Sequence, residues 1–591
     1  MLDRWNERLK SHPLVVAGFL TLVAFAVYGT VLAYGFVYDD VEQILRNPFV
    51  LNPRLWAKNL TTSVWTFQGI QTNFYRPLQF FLYWLLYRIA GPSPGLFHLF
   101  NLFLYVATAW LVYRLGRGLL GSELPALAGA LLWMLHPLHV EAVAWVSALP
   151  DVGCGFFYLL AFLLFLRAED STRPRFRQHT FAALAFFCAL LFKEMAISFL
   201  LLPLAYWFLY GAPGSWRDRA LRWLPYGAAF GAYLVIRKSV LGFLTAKPFP
   251  SEGLLRLASA SLGLLGEHIR LFFWPVRLTA FRTFEPVRSL HSPWPWLALL
   301  GLIALLLLRQ RDRVLSFLLA WWGVTLLPCL DFRMLSSPLI ADRFSYVPSV
   351  GLCLATSYLI LERIPARIPS PRVTRLAVAG LILLMCLWTI RTRRTIPQWS
   401  GDETLVNNGL QMSPDSALLH LAQAVIKQYR YNDLEGATRE YETAIELNRR
   451  SLKPLNGVVS ESFLGLGQIS QARGRTEEAV SYYEKAIKAS RVNNSAYDAL
   501  GAVYFPRRDY AKAAEYFAAA LKSNPYDLGA RFYLGTCWME LGKYREAAEQ
   551  FRAAREIDPV YWQAYEAEAR ALEAAGEAAG AAHVRSMKPP Y

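Results

Sequence analysis

Only six cysteines occur among the 591 residues, and no two stand at the spacing of a metal-binding pair. Cys154, Cys188, Cys329, Cys353 and Cys386 fall in or beside apolar runs and Cys537 stands alone near the C-terminus, so neither a disulfide framework nor a structural zinc site is expected. Charge is sparse as well, at 18% of the residues against 55% hydrophobic, and it is nearly missing from the apolar runs of the N-terminal two thirds. That imbalance leaves more apolar surface than one soluble core can bury, which identifies an integral membrane protein. A basic, aromatic-interleaved face is also lacking: the net charge of +17 comes from short Lys and Arg clusters between apolar runs, so nucleic acid is not an expected partner.

Apolar runs of spanning length occupy about 14–35, 97–114, 124–142, 152–167, 179–192, 195–210, 223–241, 294–308, 314–330, 346–361 and 376–390, about eleven spans in all. The first run is too long for a signal-peptide core and lacks a small-residue exit site before Tyr38, so it is expected to stay as an anchor. Six cation clusters fall on one side of these spans: Arg4, Arg8 and Lys10; Arg114 and Arg117; Arg167, Arg173, Arg175 and Arg177; Arg217, Arg219 and Arg222; Arg309, Arg311 and Arg313; and Arg363, Arg367, Arg372 and Arg375. By the positive-inside rule that side is cytoplasmic, which puts Asp39 and Asp40, the loops 141–151 and 331–345, and everything after Arg391 outside. Pro77 to Ile89 reads as an interfacial helix, and Leu254 to Pro275, interrupted by Glu267, His268 and Arg270, as a surface or re-entrant one.

The adjacent carboxylates Asp39 and Asp40, directly after the first span, are a functional-site candidate because ionisable groups are costly at a membrane boundary. Helix capping or plain solvation is the ordinary alternative. Arg76, Lys193 and Arg343 are expected at outer ends of apolar segments, where an Arg fork or a Lys point charge suits a phosphate, although each is also placed to reach lipid headgroups. Lys193 has a further alternative as a mutually neutralising pair with Glu194. His136, His139 and Glu141 are of metal-ligand type, but nothing else in the sequence completes a metal site, and a role in shaping a pocket with Asp151 is preferred. His98 and Asn101 are read as packing or interhelical hydrogen-bonding residues.

After Arg394 the composition changes to Ala, Glu, Tyr and Arg at helical period, and the chain repeats itself. Leu466-Gly467, Leu500-Gly501 and Leu534-Gly535 recur in register, as do Ala479, Ala513 and Ala547, and Tyr483, Phe517 and Phe551. The interval of 34 residues is that of the tetratricopeptide repeat, in which a small residue lets two helices approach and an aromatic fills the gap. Three clear repeats, a fourth beginning near Ala437 and a C-terminal cap over 562–587 are enough to stack a continuous core with a concave protein-binding face.

Phe36 to Asp40, Asn47-Pro48, Tyr75 to Leu78, His98 to Asn101, His136 to Val143, Lys193-Glu194 and Asp342 to Gly351, followed by the repeats, together resemble the transmembrane and tetratricopeptide-repeat-containing family of protein O-mannosyltransferases in the GT-C superfamily. The resemblance implies an all-α architecture, with a polytopic GT-C-type membrane domain over 1–395 and a soluble α-solenoid of repeats over 396–591 on the periplasmic or lumenal side. It implies an inverting enzyme that moves a sugar, mannose first, from a polyprenyl- or dolichyl-phosphate donor to a hydroxyl, Ser or Thr of a polypeptide. Asp39 then resembles the family's outer-loop base with Asp40 orienting it; Arg343, Lys193 and Arg76, in that order, meet the donor phosphate; and His136, His139, Glu141, Asp151, Glu194, Asp342 and Tyr346 line the acceptor or sugar pocket. No cofactor is expected, a divalent metal being the weaker alternative, and a bacterial inner membrane is preferred over the endoplasmic reticulum. Asp342 stands where the family usually has Glu, and Cys329 to Pro338 departs from its pattern. The rival from another class is a membrane-anchored scaffold that recruits partners for envelope assembly; a transporter is disfavoured because the spans show no internal duplication.

Overall fold

A computed structural model of the chain describes residues 13–170, 176–211, 214–244, 254–284, 291–308, 311–331, 339–451 and 454–589. Arg4, Arg8, Lys10, Arg173, Arg175 and Arg309 of the cation clusters, and 332–338 of the atypical stretch, lie outside these residues. Every described element is helical apart from one antiparallel bridge between Arg282 and Ile340. The all-α expectation therefore holds.

Contacts group the chain into two units that do not follow a linear division at 395/396. One contains the residues up to Asp40, Tyr75–Leu82 and Ile89–Ser413; the other contains Val41–Phe74, Tyr83–Arg88 and Pro414–Tyr591. The eleven expected spans are all occupied largely by helix. Among the described residues four helices are long and apolar enough to cross a membrane, Pro13–Ala33, Pro94–Leu120, Val146–Glu169 and Pro371–Trp399, and a fifth qualifies if Glu123–Leu135 and Pro137–Ala144, bent by 54° at His136, count as one. Phe176–Phe192, Glu194–Tyr210 and Arg313–Cys329 are shorter apolar helices.

Local chemistry sets where these helices start and how closely they pack. Ser215 and Asp218 form a reciprocal capping box at the start of Trp216–Leu241, and Asp312 caps Arg313–Leu326 through the Leu315 N–H at 3.1 Å. Glu123–Leu135 packs on Ser349–Tyr358 across Gly129, where a Cβ would lie 2.6 Å from Leu354 and 2.8 Å from the Ser357 hydroxyl. Any side chain there would push the two helices apart. Leu254–Phe273 buries one stripe, Ala260, Leu264, His268 and Leu271, at helical spacing, and its Glu267 and Arg270 answer each other at 2.7 Å.

In the second unit five helix pairs stack: 417–429 with 434–450, 456–472 with 476–489, 494–504 with 510–523, 528–540 with 544–557, and 562–574 with 578–586. The Leu-Gly register has a direct steric cause. A Cβ on Gly501 would stand 2.7 Å from the ring of Phe517, so the aromatic of each second helix occupies the space vacated by the glycine of the first. Ala479, Tyr483, Ala486 and Leu500 form one such buried layer, and Ala513, Phe517, Ala520 and Leu534 the next.

Candidate active site

The acidic pair is split by its backbone. Tyr38 adopts φ +57°, in the left-handed region that costs a non-glycine residue of the order of 1–2 kcal/mol. Two contacts hold it there: its N–H donates to Asp402 Oδ1 at 2.7 Å, and its ring meets Phe281 edge-on at 5.2 Å. The turn sends the two carboxylates into different surroundings. Asp40 is 1% exposed, with Oδ2 accepting from the Val37 N–H at 3.0 Å and Oδ1 from the Ser147 N–H at 2.7 Å. Burial pushes its pKa up to about 7, and the hydrogen bonds it accepts limit the rise. Asp39 is only half-buried, and its charge reaches Arg343.

Arg343 is the centre of a connected ionic cluster. Its guanidinium and its backbone N–H both engage Glu141, the second at 2.9 Å, and its Nε lies 3.9 Å from Asp151. It also lies over the rings of Trp145 and Phe344, at 5.2 and 5.3 Å. Burial alone would weaken its charge, but Glu141, Asp151 and Asp39 together raise its pKa above the ordinary arginine value. Asp151 takes Lys193 Nζ at 2.6 Å, and Arg76 meets Glu194 at 2.8 Å. Burial likewise opposes the Arg76 charge, and Glu194 and Asp151 override it. Lys193 and Arg343 therefore share Asp151, while Arg76 pairs with Glu194 and feels the charge of Asp151.

Lys193 and Glu194 are not a mutually neutralising pair. Lys193 is extended, at φ −155° and ψ 131°, before the tight helix Glu194–Leu201, and this turn directs the two side chains to different partners. Asp151, Lys193, Arg343, Phe344 and Tyr346, with Cys154 and Cys329, line a cavity of about 30 Å³, room for a water molecule or two. Gly155 opens the place for the Tyr346 ring, since a Cβ there would lie 2.4 Å from it.

Other expected pocket residues stand apart. His136 Nε2 meets the Phe272 carbonyl at 3.1 Å with its ring against Phe272 and Trp388, whereas His139 Nε2 donates to the Ser349 hydroxyl at 3.0 Å, that hydroxyl spending its own proton on the Tyr346 carbonyl. Both are fully buried in aromatic packing, neither lines the cavity beside Lys193, and Glu141 faces Arg343 instead of either ring. Asp342 is held by Arg282 at 3.1 Å, and burial raises its pKa against that attraction. Asn101 bonds the Trp145 and Val146 carbonyls, and His98 meets Gly35, as expected of interhelical contacts. Among the described residues no group of three or more His, Cys, Asp or Glu side chains is placed to hold a metal ion.

Three participants carried no sequence signal: Asp402, which holds Tyr38 from 364 residues away; Trp145, the platform for Arg343; and Arg282, which takes Asp342. The only clue to any of them is chemical type. A lone acid after the last apolar run looks like any solvated residue.

Residues 76–241 match the family model described as dolichyl-phosphate-mannose-protein mannosyltransferase, and 464–528, 499–560 and 538–584 match the one described as tetratricopeptide repeat. Protein O-mannosyl-transferase Tmtc1 of Drosophila melanogaster is 26% identical over 523 residues, covering 70% of this chain and 59% of that protein. TMTC1 of Homo sapiens is 26% identical over 519 residues, covering 77% of this chain and 58% of that protein. Protein O-mannosyl-transferase F38B6.6 of Caenorhabditis elegans is 24% identical over 427 residues, covering 68% and 59%. The chain thus spans under two thirds of the length of these curated relatives. The chain is thus similar to these protein O-mannosyl-transferases, with one segment that matches the mannosyltransferase family model and another that matches the repeat model.

Proposed function

We propose that the chain is an inverting glycosyltransferase that moves a sugar, mannose first, from a polyprenyl- or dolichyl-phosphate donor to a Ser or Thr hydroxyl of a polypeptide on the outer face of the membrane. The observation that carries this reading is that Arg343 and Lys193 share Asp151 beside a cavity, with the Arg76–Glu194 pair in electrostatic reach of Asp151 and the half-buried Asp39 in electrostatic reach of Arg343. In the proposed step Asp39 removes the acceptor hydroxyl proton as that oxygen attacks the anomeric carbon. The bond from that carbon to the phosphate oxygen breaks on the opposite side, and the lipid phosphate leaves with its new charge against Arg343 and Lys193.

Every one of these cations is already paired, so an arriving phosphate competes with Asp151 for Lys193 and Arg343. Asp151 is the readily exchanged partner at Arg343, where the contact is long at 3.9 Å, whereas its 2.6 Å contact with Lys193 has to be broken. A cavity of about 30 Å³ holds no hexose, so donor entry on this reading requires the lining side chains to move. Incubating the purified protein with labelled lipid-phosphate sugars and a peptide bearing Ser and Thr tests the assignment. Transfer of label from one donor to the peptide is expected; binding of partners with no donor consumed would favour the scaffold.

Two further outcomes follow. Because arginine and lysine answer the departing phosphate, transfer should persist in EDTA; loss restored by Mg²⁺ or Mn²⁺ would add a metal to the mechanism. With the cation-rich loops inside, a reporter fused after Tyr591 should be active only on the outer side, periplasm if the membrane is bacterial. Digestion of the repeats from the cytoplasmic side would overturn that orientation.

A further inference from the structure

A larger groove lies between Leu202–Tyr210 and Trp216–Leu241, and it shares no lining residue with the cavity beside Lys193. Its volume is about 640 Å³, the size of a small-molecule site. Leu204, Trp207 and Phe208, at i, i+3 and i+4, form one wall, and Arg219, Ala220 and Trp223 form the other. Phe208 is 65% exposed and Leu204 45%, so the first wall is open to whatever lies outside the protein. The ring of Trp223 lies against Gly227, where a Cβ would come within 2.7 Å of it, so glycine lets the indole lie along its own helix and wall the groove.

Charge in the groove has one sign. Arg219 is the one ionisable residue that lines it among the described residues. Asp218, next in sequence, is turned back on Ser215, accepting from its N–H at 2.8 Å and its hydroxyl at 3.0 Å. The neighbouring arginines face elsewhere: Arg222 donates to Glu169 at 2.8 Å, and Arg217 lies over the Trp216 ring at 5.6 Å. The groove also has donors in want of acceptors. The indole N–H groups of Trp207, itself 7% exposed, and of Trp223 are buried and meet no acceptor among the described residues. One cation and two unmet N–H groups on an apolar wall suit an anion whose remainder is apolar.

The place of the groove along the chain narrows the choice. Trp207 and Phe208 stand near the end of the apolar helix Glu194–Tyr210, and Arg219 near the start of the next, where apolar sequence gives way to the cluster Arg217, Arg219 and Arg222. Tryptophan favours the headgroup level of a membrane, and basic pockets between spanning helices on the cytoplasmic side suit anionic headgroups.

We propose that this groove binds one anionic phospholipid from the leaflet on the side of the cation-rich loops, cytoplasmic in the orientation given above. The phosphate sits at Arg219, an acyl chain runs along Leu204 and Phe208, and the two indoles turn their N–H groups to the lipid's ester oxygens. The site is separate from that of the sugar donor, and it stands whether or not the protein transfers sugar.

The test places the full chain in nanodiscs of phosphatidylcholine with a minor fraction of phosphatidylglycerol and reads the lipid retained on release into a native mass spectrometer. One phosphatidylglycerol should stay bound in preference to phosphatidylcholine. Arg219→Gln should lower that retention about fivefold, the worth of one basic residue at a lipid surface, while Arg217→Gln, outside the groove, should change it by less than about twofold. Ala220→Trp, which fills the groove and keeps Arg219, should expel the lipid. Residues 219 and 220 are both exposed, so neither substitution disturbs the core. Equal retention of the two lipids, or equal losses from Arg217→Gln and Arg219→Gln, would reduce the effect to diffuse surface charge and overturn the site. Undiminished retention by Ala220→Trp would overturn the groove as its seat. Polyprenyl phosphate displacing phosphatidylglycerol from the unaltered protein would overturn the phospholipid assignment in favour of a donor-type lipid.

Discussion

Replacing Arg343 by methionine should abolish transfer and also destabilise the membrane unit, on the scale of about 3–5 kcal/mol for a broken buried ion pair. The larger part of that loss comes from the partner left behind. Glu141 is 3% exposed and gives one oxygen to the Arg343 guanidinium and the other to the Arg343 backbone N–H. Without the guanidinium it is a buried carboxylate with a single N–H, and Asp151 loses its second cation. Adding Glu141→Gln should therefore restore much of the stability without restoring transfer, because a neutral amide is tolerated where a lone charge is not. Thermal unfolding of the single and double variants, measured beside transfer, separates the two roles. Stability unchanged in Arg343→Met would mean that the pair is not formed in the folded protein.

Asp39→Asn should give the opposite pattern, a fall in transfer of about 10²–10⁴ with normal insertion and unfolding, as when a general base is lost from an accessible position. Asp40→Asn should act through structure. Its two oxygens accept from two different backbone N–H groups, and an asparagine must turn its NH2 toward one of them, leaving a buried donor unmet at about 1–3 kcal/mol. Adjacent residues of the same type then fail in different assays. Full transfer by the Asp39 variant would remove it as the base and leave Asp40 or Glu141 to be tested.

Reading the sequence recovers what local periodicity writes into it. The 34-residue register survives because each glycine faces its own aromatic sixteen residues on, Gly501 against Phe517, so both halves of the constraint lie within one repeat. The helical intervals survive because lipid exposure demands unbroken apolar runs. Pairing is less legible. Lys193 and Glu194 looked like each other's partners, yet a single extended residue parts them, and the two histidines of 136–139 share a turn but bond in different directions. Arg343, Lys193 and Arg76 could be nominated by type and position, but not their partners: Glu141 and Asp151, from one loop, take Arg343 and Lys193, and Glu194 takes Arg76 instead of its neighbour Lys193. Nor does composition reveal that Asp402, just past the expected division at 395/396, is the hydrogen-bond acceptor for Tyr38, or that Asn52 finds its partners at 556 and 557.

The amide of Asn52 also has to wait for its partner. The ribosome makes residue 52 early and residues 556 and 557 some five hundred residues later, which at about 5–20 residues per second is roughly 25–100 s of synthesis. Throughout that interval the segment 41–74 waits with its docking site unmade, and Tyr38 lacks Asp402 for the 364 residues that separate them. The turn at Tyr38 therefore sets only after residue 402 has been made. A nascent chain that ends before Asp402 would carry Asp39 and Asp40 without the contact that fixes the backbone between the first helix and the two carboxylates.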